Sequence, residues 1–369
     1  MVRVLHVIDH LGLGGAQSAL LDLVRNADPG SVLNEVAVLH GKGPFFEALR
    51  QCGVPVHSLS ARRWPPDYLI ELPRLLAGAR FDILHFHLQG SNWLAKPLAA
   101  LCSDRPRVAH DHTSGDLKFR GWHSLLPDAL SHLWSDRVIA VSPGVKEFLC
   151  CWEAVDPGRV DVVRNGIDTS FFQPVSAERR KAAREHFSIC ETEVVVGAIG
   201  RLSPEKNFAA LASVAAAFPD VRLLIAGEGP LEGALREAFR PFGSRVRLCG
   251  RVDDREGFYA ALDVFTLPSL YEGLPMSLLE AMASGLAPVA SRLPDIARAI
   301  RDGEEGLLVQ PGSHRDLVEA VGLLIGDPAR RAEMGQAARA RCELDFSACR
   351  MAGQVGEVYR SLIEKSRSI

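Results

Sequence analysis

The sequence has no uninterrupted apolar run of the length needed to cross a bilayer, so no membrane-spanning helix is predicted. It also lacks a strong excess of either charge: the formal net charge of -3 argues against a nucleic-acid binder, which should be strongly basic. The 8 cysteines show no C-x-x-C and no paired spacing, which excludes a zinc-ribbon or zinc-finger site. Several fall in apolar runs, at 98–102 and 246–249, and read as small buried hydrophobes of a reducing compartment. No signal-peptide layout precedes the strand-like run at 2–8. A cytoplasmic protein is expected, soluble or peripheral at the inner face of the membrane.

The 369 residues, 47% of them hydrophobic and 24% charged, suit two domains, each with its own core. Strand-like runs at 2–8, 35–40, 82–87, 107–112 and 137–142 alternate with helical patterns, as in a doubly wound parallel sheet. A turn at Arg164 to Asp168 leads into a polar stretch, 171–181, that reads as a linker. A second series follows at 193–199, 221–226, 246–249, 264–267 and 287–290. The prediction is α/β with two Rossmann-like domains, 1–173 and 174–348. A final helix at about 349–366, apolar at Met351, Val355, Tyr359 and Leu362, packs back on the first domain.

Chemistry concentrates in loops at strand ends. In 269–285, Gly273 frees the backbone, Pro275 suits a first helical position and Gly285 a stop, so a helix begins near 275. The amides of about Gly273, Leu274 and the first turn would then face outward with the positive end of the helix dipole, a site for phosphate. Glu272 and Glu280 flank it as acceptors of hydroxyl protons, which together suit a nucleotide sugar. The loop Gly200 to Asn207 adds Arg201 and Lys206, a fork and a point charge suited to clamping a diphosphate. Acidic pairs for a metal are lacking there, so cations and helix amides would do what Mg²⁺ does elsewhere.

In the first domain, Gly12, Gly14 and Gly15 let backbone approach a ligand. A dinucleotide fingerprint fails, since Gln17 stands at the third glycine and no acid ends the next strand. Two strand ends carry histidines, 85 and 87, then 110 and 112. His85 reads as structural, and His112, furthest out, as the reaction centre. A zinc cluster of these histidines lacks a supporting carboxylate pattern, so no metal is expected. In 115–136, Lys118, Phe119, Arg120 and Trp122 mix cations with aromatics, suiting a membrane surface or lipid-linked substrate. The plainer reading puts Leu126, Leu130 and Leu133 in the core.

The motifs Gly14-Gly15-Ala-Gln17, Ser135 to Ser142, Val163 to Asp168, Gly200 to Lys206, Ile225 to Pro230 and the pair Glu272 and Glu280 together resemble glycosyltransferase family 4 over nearly the whole chain. That resemblance implies the GT-B architecture, two domains facing a central cleft, and a retaining, metal-independent hexosyltransferase. The donor would be a nucleotide sugar, UDP-linked by family habit, with no cofactor. Arg201 and Lys206 would hold its diphosphate with amides of Gly14 and Gly15. Glu280 would take the ribose, Glu272 the transferred sugar, and Arg251 and Val252 the base. His112 would stand beside the sugar. The run Val108 to Ser114 looks most like members that build bacterial surface polysaccharides. His110, Lys118, Arg120 and Trp122 would meet a glycan or lipid-linked acceptor. Gln17 departs from a common acid, and Leu293-Pro294 from a frequent Gly-Gly. Two other classes compatible with such a fold are a sugar-nucleotide epimerase and a non-catalytic sugar-nucleotide-binding partner.

Overall fold

A computed structural model describes residues 1–12, 14–41, 43–59, 67–112 and 122–367. It contains two parallel sheets in two units, Met1–Gly166 with Ala348–Ile369, and Ile167–Ser347. The first unit's strands are β1 (Val2–Ile8), β2 (Val32–Val38), β3 (Val56–Ser58), β4 (Ile83–His87), β5 (Arg107–Asp111), β6 (Arg137–Ala140) and β7 (Val160–Val162). Their order is β3-β2-β1-β4-β5-β6-β7. The chain therefore winds outward from β1 in one direction, then resumes at β4 on its other side.

The second unit has β8 (Val194–Ile199), β9 (Val221–Ala226), β10 (Val246–Gly250), β11 (Val264–Leu267), β12 (Ala287–Ser291) and β13 (Leu307–Val309), ordered β10-β9-β8-β11-β12-β13. Its reversal lies between β8 and β11. Such reversals open a crevice at the carboxyl ends of the two strands, where ligands bind in doubly wound sheets. Short apolar runs rich in Val, Ile and Leu make the central strands, of which β4 and β11 are buried along their whole length, while the edge strands β3 and β10 are only partly covered.

The helix Ala348–Arg367 lies in the first unit, where Met351, Val355, Val358, Tyr359 and Leu362 recur at helical spacing and pack on Val4, Ile83 and Val108. The units divide after Gly166, earlier than residue 173, because Ile167 already belongs to the second one. It bridges Ser347, and its amide donates to the Phe346 carbonyl at 2.8 Å.

The second half of the polar stretch expected as a linker is instead the start of a helix of the second unit, Ala177–His186, docked by charge. Arg180 and Arg184 meet Asp263 at 2.8 and 2.6 Å, and Arg184 is buried. A helix held by ion pairs carries no apolar stripe, so its composition resembles that of a spacer. The cysteines also differ from expectation. Only Cys342 is buried, while Cys52, Cys102, Cys151, Cys190 and Cys349 are exposed and all eight are free. Cys102 ends a helix, Lys96–Cys102, whose Leu101 also faces outward, so an apolar run there did not mean burial.

The Leu126, Leu130 and Leu133 core is likewise overturned: these residues are 67%, 47% and 71% exposed. The helix Trp122–Ser131 turns its polar side inward instead, burying Asp128 and Ser131, with Trp93 Nε1 donating to Asp128 Oδ1 at 2.8 Å. Among the described residues no helix is long and apolar enough to cross a membrane.

Candidate active site

At the second unit's reversal three loops are tied together. The Gly200 amide donates to the Ala226 carbonyl at 3.0 Å, Leu202 to Glu228 at 2.9 Å, and Leu270 to Glu205 at 2.8 Å. Gly227 is needed for this packing. With φ at +133°, a Cβ there would stand 1.8 Å from the Gly200 carbonyl oxygen, a collision with backbone that cannot yield.

The tied loops bring Lys206 against Glu272. Lys206 Nζ donates to Glu272 Oε1, which also accepts from Ser269 Oγ at 2.9 Å. Both side chains are mostly buried, at 15% and 14% exposure, so this is a partly desolvated charge pair. Arg201, from the same loop, is exposed; its carbonyl accepts from the Ser203 amide at 2.9 Å, while its guanidinium makes no ion pair among the described residues.

The helix after Glu272 spans Met276–Ala283, with Pro275 at its N-cap, one position earlier than expected. The amides of Gly273, Met276 and Ser277 donate to no described residue, while Pro275 offers no N–H at all. Leu274, in the same turn, is buried. Gly285 closes the helix at φ +76°, its amide donating to Met282 and that of Leu286 to Ala281. Unpaired amides and the helix dipole make this turn attractive to an anion.

Glu280 sits inside that helix, and its partners were not foreseen. It is fully buried, and Oε2 accepts from Arg255 and, at 2.7 Å, from the Tyr259 hydroxyl. Its Oε1 has no partner among the described residues. Burial pushes the Glu280 carboxyl above the ordinary carboxylate range against the opposing pull of Arg255 and Tyr259. Burial also raises Tyr259 well above its usual value, with Glu280 adding to the effect. The sequence hint was present in Asp254, a good N-cap before 255–261, but nothing local aims that helix at Glu280. Arg251 is exposed and bonds Asp253 at 2.6 Å, with Val252 half-buried beside it.

In the first unit, Gly14 is the N-cap of the helix Gly15–Arg25. Gln17, where an acid was the common choice, approaches His10 Nδ1 at 3.3 Å with its side-chain nitrogen. His85 is buried and hydrogen-bonds the Tyr359 hydroxyl through Nδ1 at 2.6 Å, in keeping with a structural part. His112 lies just beyond β5, half-buried, its ring stacked on His110 with centroids 4.3 Å apart. Burial pushes His112 down to about 4 and His110 well below the usual range, so both rings are neutral at physiological pH. Lys118 and Arg120 lie outside the described residues. Trp122 opens the helix Trp122–Ser131, and its side chain is likewise outside them.

Among the described residues, three groups of side chains have ligand atoms within 4.8 Å of one another: His6, His85 and His87; His87, His110 and His112; and Asp111, His132 and Glu153. They belong to the first unit; none involves Arg201, Lys206, Glu272 or Glu280.

Comparison with known proteins gives the family and the fold. The family model described as Glycosyltransferase Family 4 matches residues 13–171, and that described as Glycosyl transferases group 1 matches 193–327. The alpha-maltose-1-phosphate synthase of Mycolicibacterium smegmatis is 34% identical over 251 residues, which are 62% of this chain and 64% of that protein. The chain thus spans somewhat under two thirds of that relative. The enzyme of the same name from Mycobacterium tuberculosis is 29% identical over 367 residues, covering 85% of this chain and 92% of that protein. Among solved structures, Anabaena HepE in complex with UDP-glucose superposes with a TM-score of 0.87 over 98% of this chain and all of that one, at 21% identity. A relation so distant in sequence and so close in backbone speaks to the fold. Two doubly wound units, a phosphate-ready turn beside a Lys–Glu pair, and family models matching both halves identify the chain as a hexosyltransferase of glycosyltransferase family 4 with the GT-B fold.

Proposed function

We propose that the chain transfers a hexose from a UDP-sugar to a glycan or lipid-linked acceptor, with retention at the anomeric carbon and without a metal. The observation that carries the reading is the second unit's reversal, where Lys206, Glu272 and the unpaired amides of Gly273, Met276 and Ser277 share one place. Diphosphate binding would draw Lys206 from Glu272 to a phosphate oxygen, with Arg201 as a second cation, freeing the carboxylate for sugar hydroxyls. As the bond from the anomeric carbon to the phosphate oxygen breaks, negative charge grows on the leaving group, and these donors stabilise it. The acceptor hydroxyl forms the new bond on the same face and gives its proton to the departing phosphate. Glu280 Oε1, enclosed and unpartnered, suits a ribose hydroxyl.

The acceptor is assigned to the first unit, at His110, His112 and the segment holding Lys118, Arg120 and Trp122. The outward Leu126, Leu130, Leu133 and Trp134 support contact with a membrane surface, since four large apolar side chains along one short stretch are otherwise a solubility liability. UDP as the nucleotide rests on likeness to HepE, whose structure holds UDP-glucose.

Lys206→Ala tests the reading. The variant keeps its fold by circular dichroism, loses transfer by about 100-fold or more, and loses the thermal stabilisation that UDP-glucose gives the wild type. A folded variant with full transfer activity would overturn the donor assignment. Incubation with donor alone, without acceptor, should release no isomerised sugar.

A further inference from the structure

Five histidines, far more than the proposed transfer uses, lie on one face of the first unit's sheet. Register puts them there: His6 pairs with His85 across β1 and β4, and His87 pairs with His110 across β4 and β5. Parallel partners share a face, and residues two apart along a strand share it too, which adds His112. The rings of His85, His87, His110 and His112 lie 4.3 to 6.0 Å apart between centroids, His85 with His110 and His110 with His112 stacked and the other pairs tilted.

Their nitrogens are poorly satisfied. His87 Nδ1 and both ring nitrogens of His110 and His112 are enclosed without a hydrogen-bond partner among the described residues. An enclosed polar atom left so costs about 1–3 kcal/mol, and native proteins rarely tolerate several together. The hydrogen-bond chain leading to His87 decides which form its free nitrogen takes. Asn34 Oδ1 can only accept, so His6 Nε2, 3.0 Å away, carries the hydrogen. In a neutral ring His6 Nδ1 is then the acceptor, and His87 Nε2, 3.0 Å from it, is the donor. That leaves His87 Nδ1 with a bare lone pair, the form that ligates metals, oriented by its other nitrogen as metal-bound histidines are.

We propose that His87, His110 and His112 bind one divalent transition metal of the zinc class, for which neutral imidazoles are preferred ligands. One atom from each lies within 4.8 Å of the others. Nitrogens sharing a tetrahedral zinc stand roughly 3.4 Å apart, so metal binding requires the rings of His110 and His112 to turn out of their stack and bring the nitrogens about 1 Å nearer. The metal is not part of the transfer chemistry. By taking the His112 lone pair it would slow transfer, and that consequence alone rests on the role proposed for His112 above; binding itself does not.

The test uses the full chain, stripped with chelator, without substrates. Titration with Co²⁺ should give visible absorption bands that saturate at one metal per chain, without the near-ultraviolet thiolate band that the exposed cysteines would produce. His112→Gln, at the strand end, should weaken binding about tenfold or more, and Asn34→Ala, which touches no metal but breaks the tautomer chain, by roughly tenfold. Zn²⁺ at the same concentration should raise the melting temperature of the wild type clearly more than that of His112→Gln. His132→Asn should bind as the wild type does. Absence of the visible bands, a thiolate signature, or loss of binding in His132→Asn with retention in His112→Gln would overturn the assignment. If Zn²⁺ binds as described yet leaves transfer unchanged, the site stands and the role of His112 falls.

Discussion

Arg255→Ala leaves Glu280 fully buried, with Tyr259 as its remaining described partner. Breaking a wholly buried pair costs about 3–5 kcal/mol, but the Arg255 side chain is 24% exposed, so water already screens the cation and a cost of about 2 kcal/mol is the better figure. For a unit of this size that is a fall of roughly 4–8 °C in melting temperature. The loss should depend on pH with a definite sign. Burial already holds the Glu280 carboxyl above its ordinary value. A raised folded-state pKa means stability that is full below the unfolded value of about 4.3 and lost as pH rises through the folded one. Removing Arg255 raises it further, so the variant goes on losing stability over a window in which the wild type has stopped. Calorimetric scans at about pH 5 and about pH 8 should show the gap between variant and wild type widening with pH. An equal gap at both, or none, would show that Arg255 is not what opposes the upward shift of the Glu280 carboxyl.

Glu280→Gln keeps the shape and removes the charge, and should raise KM for the donor by about tenfold with a smaller change in kcat, as expected for a contact made equally in ground and transition states; an unchanged KM would remove Glu280 from the donor site. Combining Leu126→Gln, Leu130→Gln and Leu133→Gln should reduce co-sedimentation with anionic vesicles while moving the melting temperature little, since exposed leucines bury little area on folding; undiminished sedimentation would dismiss this face. Tyr359→Phe deletes the 2.6 Å bond to His85 and strands its Nδ1, costing about 1–3 kcal/mol in urea unfolding; an unshifted midpoint would mean the pair is held by packing alone.

Much of the site could be read without coordinates because it is local in sequence. Glycine loops after strands, Glu272 next to a helix start, and Arg201 and Lys206 in one short loop each carry their own signal. The ten longer strands showed as short, largely apolar runs, whereas β3, β7 and β13, three residues each, are too short for any period to register. The C-terminal helix could be placed on the first domain because its apolar stripe demanded cover. What remained closed to the sequence were pairings between distant segments. Arg255 and Tyr259 reach Glu280 from 25 and 21 residues away, and Lys206 reaches Glu272 across 66. Residue type alone did not reveal that most cysteines and the leucines at 126–133 face outward, because an apolar residue is drawn inward only where another element covers it. The histidines make the same point: their alternation on β4 and β5 is written in the chain, but only the order β1-β4-β5 and its parallel register stack five rings on one face. Local propensity acts within a few residues; sheet order is set by which buried surfaces fit together, and that is decided across the whole fold.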